Sequence, residues 1–206
     1  VDAFVRHRAG EHGMHLHTPL GDVVVAGHGM LDGRRVACFS QDFSVFSGTM
    51  GEMHAKKICK VVEFAEKACI PIIGIWDGDG QRAHEGVTSL GPNGDLLDNL
   101  VSCSGKVPMI SIILGTVSGT SALAAGLSDF VILGKQRGRM FMRSPYVIPE
   151  IISGEVDEDT LGGANHHASR SGVACLVSDT ERGAFDMAAE ILSHTVSYTH
   201  LRAHEP

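Results

Sequence analysis

IPIIGIWDGDGQR (residues 70–82) and VPMISIILGTVSGTS (residues 107–121) decide how this chain folds. In each, an apolar run without polar alternation gives way to a turn of small residues, and a helix-forming segment follows. A strand apolar on both faces must be covered on both, which predicts a largely parallel sheet layered with helices. On either side the pattern continues. Residues 23–26 and 36–39 are short apolar runs separated by Leu31-Asp32-Gly33-Arg34, a hairpin with an Asp-Gly turn. Residues 51–68 repeat apolar side chains at three and four, from Met53 through Ile58, Val61 and Val62 to Ala65, predicting an amphipathic helix. Its other face holds His54, Lys56, Lys57, Lys60 and Lys67, most simply a solvated surface. Residues 86–104 read as mostly helical, interrupted at Gly91-Pro92-Asn93-Gly94. Residues 118–127 predict a short helix of small residues, 130–133, 140–142 and 173–177 predict strands, and 146–152 a turn or two of helix. Residues 180–193 predict a second amphipathic helix, with Phe185, Met187, Ala188, Ile191 and Leu192 on its apolar side. The fold class is α/β, with no internal repeat visible in the sequence.

Composition bounds the function. With 206 residues, 43% hydrophobic and 20% charged, the chain suits one globular domain and excludes a disordered one. No apolar run reaches the length of a membrane-spanning helix. Seventeen basic against 24 acidic residues argue against non-specific nucleic-acid binding, while leaving room for a local basic site. Cys38, Cys59, Cys69, Cys103 and Cys175 form no CxxC pair and read as reduced thiols of a cytoplasmic protein. The 25 glycines exceed the average of roughly 7%. The chain starts at Val1 rather than Met, and residues 196–205 lack any apolar period and look like a translated sequencing adapter. The expected organisation is therefore one domain over residues 1–193, lacking its start, with 194–206 a non-native tail.

Both quoted stretches place a glycine-bearing turn where a buried strand ends and a helix begins. Ligands of α/β folds bind at such carboxyl ends, and helix starts offer free N–H groups and a positive dipole end. Two amides converging there would form an oxyanion hole; the bland alternative is that the glycines merely permit tight turns. Other motifs fail on detail. Gly78-x-Gly80-x-x-Ala83 fits a dinucleotide fingerprint, but the next strand ends at Gly115 without an acid for the ribose. Residues 115–121 lack the Gly-Lys-Ser/Thr of a phosphate loop. Ser118 is not in a Gly-x-Ser-x-Gly elbow, and nothing ties His54 or His84 to it as a base. His12, His15, His17 and the pair His166-His167 have no completing ligand spacing, so no metal site is expected. Arg137, Arg139 and Arg143 are candidates to meet a phosphate.

A series of blocks carries a resemblance. Phe4-Val-Arg-His-Arg8, Gly21-Asp22, Gly27-His-Gly29 and Phe39-Ser-Gln-Asp-Phe-Ser-Val-Phe46 come first, then Gly51-Glu-Met-His-Ala-Lys-Lys-Ile58. Glu85-Gly-Val-Thr-Ser-Leu90, Leu127-Ser-Asp-Phe130 and Leu161-Gly-Gly-Ala164 follow in order. The series resembles the amino-terminal half of the carboxyltransferase (beta) subunit of biotin-dependent acyl-CoA carboxylases, of the propionyl-CoA carboxylase type, and of the related decarboxylase alpha subunits. The resemblance implies a crotonase-like spiral of ββα units that holds a small acyl-CoA. It implies carboxyl transfer from carboxybiotin, delivered by a biotin carboxyl carrier or biotin carboxylase subunit, to the carbon beside a thioester. A carboxyl-terminal half from a neighbouring protomer would complete the biotin side, so a homo-oligomer is implied and these 206 residues alone are expected to be inactive. Oxyanion amides map to Gly80 and Gln81 and to Gly119 and Thr120, with Gly78, Asp79, Arg82 and Ser118 beside the substrate. The sequence departs from the family at Asp79-Gly80-Gln81, where Gly-Gly-Ala is usual, and at Ser118-Gly119-Thr120-Ser121, where Ala-Gly-Gly-Ala is usual. Asp79 brings a negative charge that Arg82 could neutralise, and a β-branched Thr120 would be strained at positive φ. These departures admit a non-catalytic CoA-binding paralogue, and Ser118 a crotonase-like hydrolase, as alternatives.

Overall fold

A computed structural model describes residues 1–6, 8 and 20–195. His12, His15 and His17 lie outside the described residues, as do residues 196–206 of the non-native tail expected over 194–206. Six strands form the main sheet in the order β1-β2-β3-β4-β6-β8. The hairpin comes first: β1 (Val24–Leu31) and β2 (Arg34–Gln41) pair antiparallel through register Leu31 to Arg34. The positive φ of Asp32 and Gly33 gives the two-residue turn that matches strand twist. From β2 onward every pairing is parallel, through β3 (Ile72–Trp76), β4 (Met109–Ile113), β6 (Phe130–Gly134) and β8 (Leu176–Ser178).

Four strands of the large sheet, β2, β3, β4 and β6, each lead to a second, shorter extended piece and then to helix. After β2, Met50 precedes α1 (Glu52–Ala68); after β3, Gln81 precedes α2 (Val87–Cys103). After β4 comes β5 (Thr116–Ser118) and then α3 (Gly119–Gly126). After β6 comes β7 (Arg139–Phe141), with the short helices α4 (Pro149–Ile152), α5 (Glu158–Gly162) and α6 (Ala164–His166) beyond it. The short pieces make their own rungs: Met50 bridges Gln81, β5 pairs β7, and Arg139 bridges Gly163. This is the ββα spiral, with a repeat that is geometric and leaves no repeated sequence.

Strand alternation sorts the core. Ile72, Trp76, Met109 and Ile113 point to one side, where Ile58, Val61, Val62 and Ala65 of α1 and Leu96, Leu100 and Cys103 of α2 cover them. Ile73, Ile110, Ile112 and Ile132 point to the other, under Ala184, Ala188 and Leu192 of α7 (Glu181–His194). Thr180 caps α7 by accepting the Gly183 N–H at 3.0 Å, and Arg34 Nη1 donates to the Leu192 carbonyl at 2.5 Å at its other end.

Two expectations are corrected. The helix over 86–104 is not interrupted: α2 runs through Pro92. Proline removes one backbone donor, yet Asn93 Nδ2 donates to the Ser89 carbonyl at 2.7 Å and to Met50 at 3.3 Å, and Leu96 and Leu100 are buried against α1. Packing overrides propensity here. The lysine face of α1 is likewise not all solvated. Lys57 and His54 are buried, while Lys56 and Lys60 stay exposed in ion pairs with Glu52 and Asp2.

All five cysteines are free. Burial pushes the Cys59 and Cys103 thiols up to about 11, whereas Cys175 is exposed. The thiolate is the nucleophile, so at pH 8 only about one in a thousand of the buried groups is reactive. Brief iodoacetamide treatment followed by peptide mass spectrometry should therefore label Cys175 and spare Cys59 and Cys103 until the protein is unfolded.

Candidate active site

Three bends meet at the carboxyl end of the sheet. One precedes α1, at residues 46–50; the second follows β3, at 77–82; the third follows β4, at 114–119. They touch backbone to backbone. A Cβ on Gly48 would stand 2.1 Å from the Asp77 carbonyl oxygen, and one on Gly78 would stand 2.3 Å from that of Gly48. A Cβ on Gly80 would fall 2.9 Å from the Ser118 oxygen and 3.5 Å from the Gly119 Cα. The Asp79 N–H donates to the Ser47 carbonyl at 3.0 Å, and the Ser118 N–H to that of Gly78 at 3.2 Å. Gly80 and Gly119 both have positive φ, +71° and +53°, a conformation that strains other side chains and favours glycine.

The donors follow from this backbone. The Met50 N–H donates to Gly80 O at 2.7 Å and the Arg82 N–H to Met50 O at 2.9 Å. In such a parallel bridge the intervening residue directs its own N–H away from the partner, so Gln81 presents its N–H on the side opposite Met50. Gly119 and Thr120 open α3, whose first N–H groups have no intrahelical acceptor, and the Ser118 side chain does not cap them. Gln81, Gly119 and Thr120 are half-buried. Thr120 is not at positive φ; that conformation falls on Gly119, so the expected strain on a β-branched residue is absent.

Asp79 is not paired with Arg82, so the expected neutralisation of its charge by that side chain is absent. Its Oδ1 accepts from Ser118 Oγ at 2.5 Å and its Oδ2 from Ser144 Oγ at 3.1 Å. The two departures from the family pattern, Asp79 and Ser118, thus complement one another across the bends. Arg82, expected beside the substrate, is 1% exposed. Its Nη1 lies 2.8 Å from both Asp22 Oδ1 and Glu85 Oε1, its Nη2 donates to Thr49 O at 2.7 Å, and its guanidinium stacks 4.9 Å from the Phe46 ring centre. The buried side chain fastens the second bend to its neighbours instead of reaching a ligand. Glu85 Oε2 also accepts the Glu52 N–H at 2.7 Å, at the positive end of α1. Asp22 Oδ2 accepts the His54 N–H at 2.8 Å.

Sequence reasoning left several members of this assembly without a role. Gln41 and Glu52-x-His54-Ala-Lys-Lys57 sit in the blocks that carried the resemblance, and Ser144 gave no signal because its partner is 65 residues away. Burial raises the Asp77 carboxyl above its usual range, with Arg137 opposing that shift. Arg139 pairs with Asp159 at 2.9 Å, and Arg143 is exposed. His167 opens a π-helical turn over His167–Ser171 and is hydrogen-bonded, its Nε2 2.9 Å from the Met140 oxygen. Among the described residues no helix is long and apolar enough to cross a membrane.

The family model of the carboxyl transferase domain matches residues 1–206. The chain belongs to the carboxyl transferase domain family. It is 42% identical over 197 residues, 96% of its length, to the biotin-dependent acetyl-/propionyl-coenzyme A carboxylase beta5 subunit of Mycobacterium leprae. It is 41% identical, over 94% of its length, to the methylmalonyl-CoA decarboxylase subunit alpha of Propionigenium modestum. The chain spans 36% and 35% of those relatives. A solved transcarboxylase 12S, described as a hexamer with hydrolysed methylmalonyl-coenzyme A bound, superposes with TM-score 0.88 at 36% identity, over 96% of this chain and 38% of that one.

Two outcomes check this site. Arg82→Leu strands the buried Asp22 and Glu85 carboxylates and should cost about 3–5 kcal/mol in urea unfolding. Asp79→Gly and Ser118→Ala should couple in a double-mutant cycle by about 0.5–3 kcal/mol, the double variant being less damaged than the sum of the singles.

Proposed function

We propose that this chain forms the acyl-CoA side of a biotin-dependent carboxyltransferase, acting on a small acyl-CoA of the acetyl or propionyl class. The observation that carries it is the meeting of two glycine-bearing bends, each with an unsatisfied backbone donor set, in a chain of this family. The N–H groups of Gly80 and Gln81 and of Gly119 and Thr120 would receive the thioester oxygen and hold it as charge moves onto it. Fixed amide dipoles cost no reorganisation as that charge develops, which is why such donors lower barriers by several kcal/mol. Gly78 keeps the bends at contact distance, and Ser118 and Ser144 satisfy the Asp79 carboxylate so that it does not compete for those amides. The family implies carboxybiotin, presented by a partner carrier, and when bound it supplies the activated carboxyl group. No described residue is assigned to biotin. The bends fit the other reactant, because they offer neutral donors to an enolate oxygen with no cation required. Homo-oligomer formation and a cytoplasmic setting belong to the same reading. A decarboxylase alpha subunit would use the same oxyanion in the reverse direction.

The structure weighs against the alternatives. Ser118 is 2% exposed and donates to Asp79, and among the described residues no histidine bonds to it to make it a nucleophile. A non-catalytic paralogue loses one of its two supports, since Thr120 is unstrained; the other is reduced, since two hydroxyls hydrogen-bond the Asp79 carboxylate without cancelling its charge.

The test is carboxyl transfer by the complete subunit with biotinylated carrier and propionyl-CoA. Gly80→Ala, which adds a Cβ at positive φ, should lower kcat about 10²–10³-fold. Ser118→Ala should leave no thioester hydrolysis to lose. Hydrolysis that vanishes in Ser118→Ala, or acyl-CoA binding without transfer in the wild type, would replace this function.

A further inference from the structure

The charge network contains two neutral side chains whose hydrogens can be placed by elimination. Gln41 is buried, and its amide meets two groups: Oε1 lies 3.1 Å from the Asp77 backbone nitrogen, and Nε2 lies 3.2 Å from His54 Nε2. A backbone N–H only donates, so the amide oxygen must face Asp77. The amide nitrogen then faces His54 and has only hydrogens to offer. His54 Nε2 is therefore the bare acceptor, and the ring proton resides on Nδ1. An imidazolium would set donor against donor.

The surroundings of His54 agree with this assignment. The ring is fully buried, with Asp22 bonded to its backbone N–H and Arg82, Lys57 and Gln41 facing it. Burial first, then the Arg82 and Lys57 charges, hold it well below its ordinary value. Lys57 is itself spent on the Gly21 and Val24 carbonyls, at 2.7 and 2.5 Å. His54 Nδ1 finds no acceptor among the described residues. A buried donor left unmet is unfavourable, and an apolar residue of the same shape would avoid it. Packing alone therefore gives no reason for a histidine here, whereas its Nε2 acceptor does.

We propose that Gln41 and His54 are positioning residues of the second bend: the Nδ1–H tautomer of His54 orients the Gln41 amide, and that amide holds the Asp77 N–H so that Gly80 and Gln81 keep their register. The bend has no slack at this point, since a Cβ on Gly78 would stand 3.0 Å from Gln41 Oε1. Gln41 thus fastens the start of the bend as Arg82 fastens its end. The catalytic consequence rests on the acyl-CoA function proposed above; the tautomer and the bend geometry do not.

Three readouts separate the two. In protein labelled with 15N-histidine, with His54 assigned by its loss in His54→Asn, NMR should show a neutral Nδ1–H ring unchanged between about pH 5.5 and 8. An Nε2–H ring, or titration in that range, overturns the proposal. Gln41→Met keeps the volume but removes both contacts, and should speed amide exchange at Asp77 by about tenfold or more beyond the change at core amides that report global stability. Gln41→Glu still accepts from Asp77, should restore slow exchange, and should drive the His54 proton to Nε2. Unchanged Asp77 exchange in Gln41→Met overturns the proposal whether or not the protein turns over. In the complete subunit, Gln41→Met should lower kcat about tenfold with KM for propionyl-CoA moved less than about threefold, and Gln41→Glu should recover most of the rate. If exchange and tautomer behave as stated but the wild type transfers no carboxyl group, positioning stands and the acyl-CoA function falls.

Discussion

The molecule is organised around a contact from which side chains are excluded. At the carboxyl end of the sheet, the bend of Gly48 lies on that of Gly78, and Gly80 lies on Ser118 and Gly119, so closely that a Cβ on Gly48, Gly78 or Gly80 would collide. Close backbone approach has two consequences at once. It winds successive ββα units into a tight spiral, and it leaves main-chain N–H groups at the junction that no neighbouring strand can satisfy. The same constraint therefore makes the fold and underlies the oxyanion site proposed for it.

Such a contact has little apolar area to stabilise it, so something else must hold the bends. The buried guanidinium of Arg82 does so, gripping Asp22, Glu85 and the Thr49 carbonyl, each from a different part of the chain. A buried ion pair seldom adds much stability over an apolar replacement, but it fixes geometry, because a misplaced partner leaves a bare charge in the core. Here the fixed geometry is that of the bend itself. Its neutral counterpart, Gln41 with His54, works from the other side of the same loop.

The departures at the junction form a set. A carboxylate at position 79 beside the proposed oxyanion site looks adverse in isolation. With Ser118 and Ser144 donating to it, its lone pairs are engaged and it ties the second and third bends to the segment that follows β7. The substitutions replace glycine and alanine contacts with a hydrogen-bonded bridge while leaving the positive-φ glycines in place.

The main-sheet strands in outline, the hairpin turn at Asp32-Gly33, the helices α1 and α7 and the glycine bends were legible in the sequence, because periodicity and turn chemistry are local properties; β5 lay in a stretch read as a turn, and the last strand starts at Leu176 instead of Val173. The ordered blocks also identified the family. What they did not reveal was the work of their polar members. Lys57 looked like a solvated residue because helical spacing places it among other lysines, yet α1 turns that side toward the Gly21 and Val24 carbonyls. Pro92 and its flanking glycines looked like a break, yet burial of Leu96 and Leu100 on α1 keeps the helix whole. Arg82 and Asp79 are three residues apart, close enough to suggest a pair, and each instead found partners up to 65 residues distant. By itself the sequence determined which segments extend, coil and turn. Only the tertiary structure decided which charges are buried and whom they meet, since desolvation and pairing depend on neighbours that the spiral, and not the chain order, brings together.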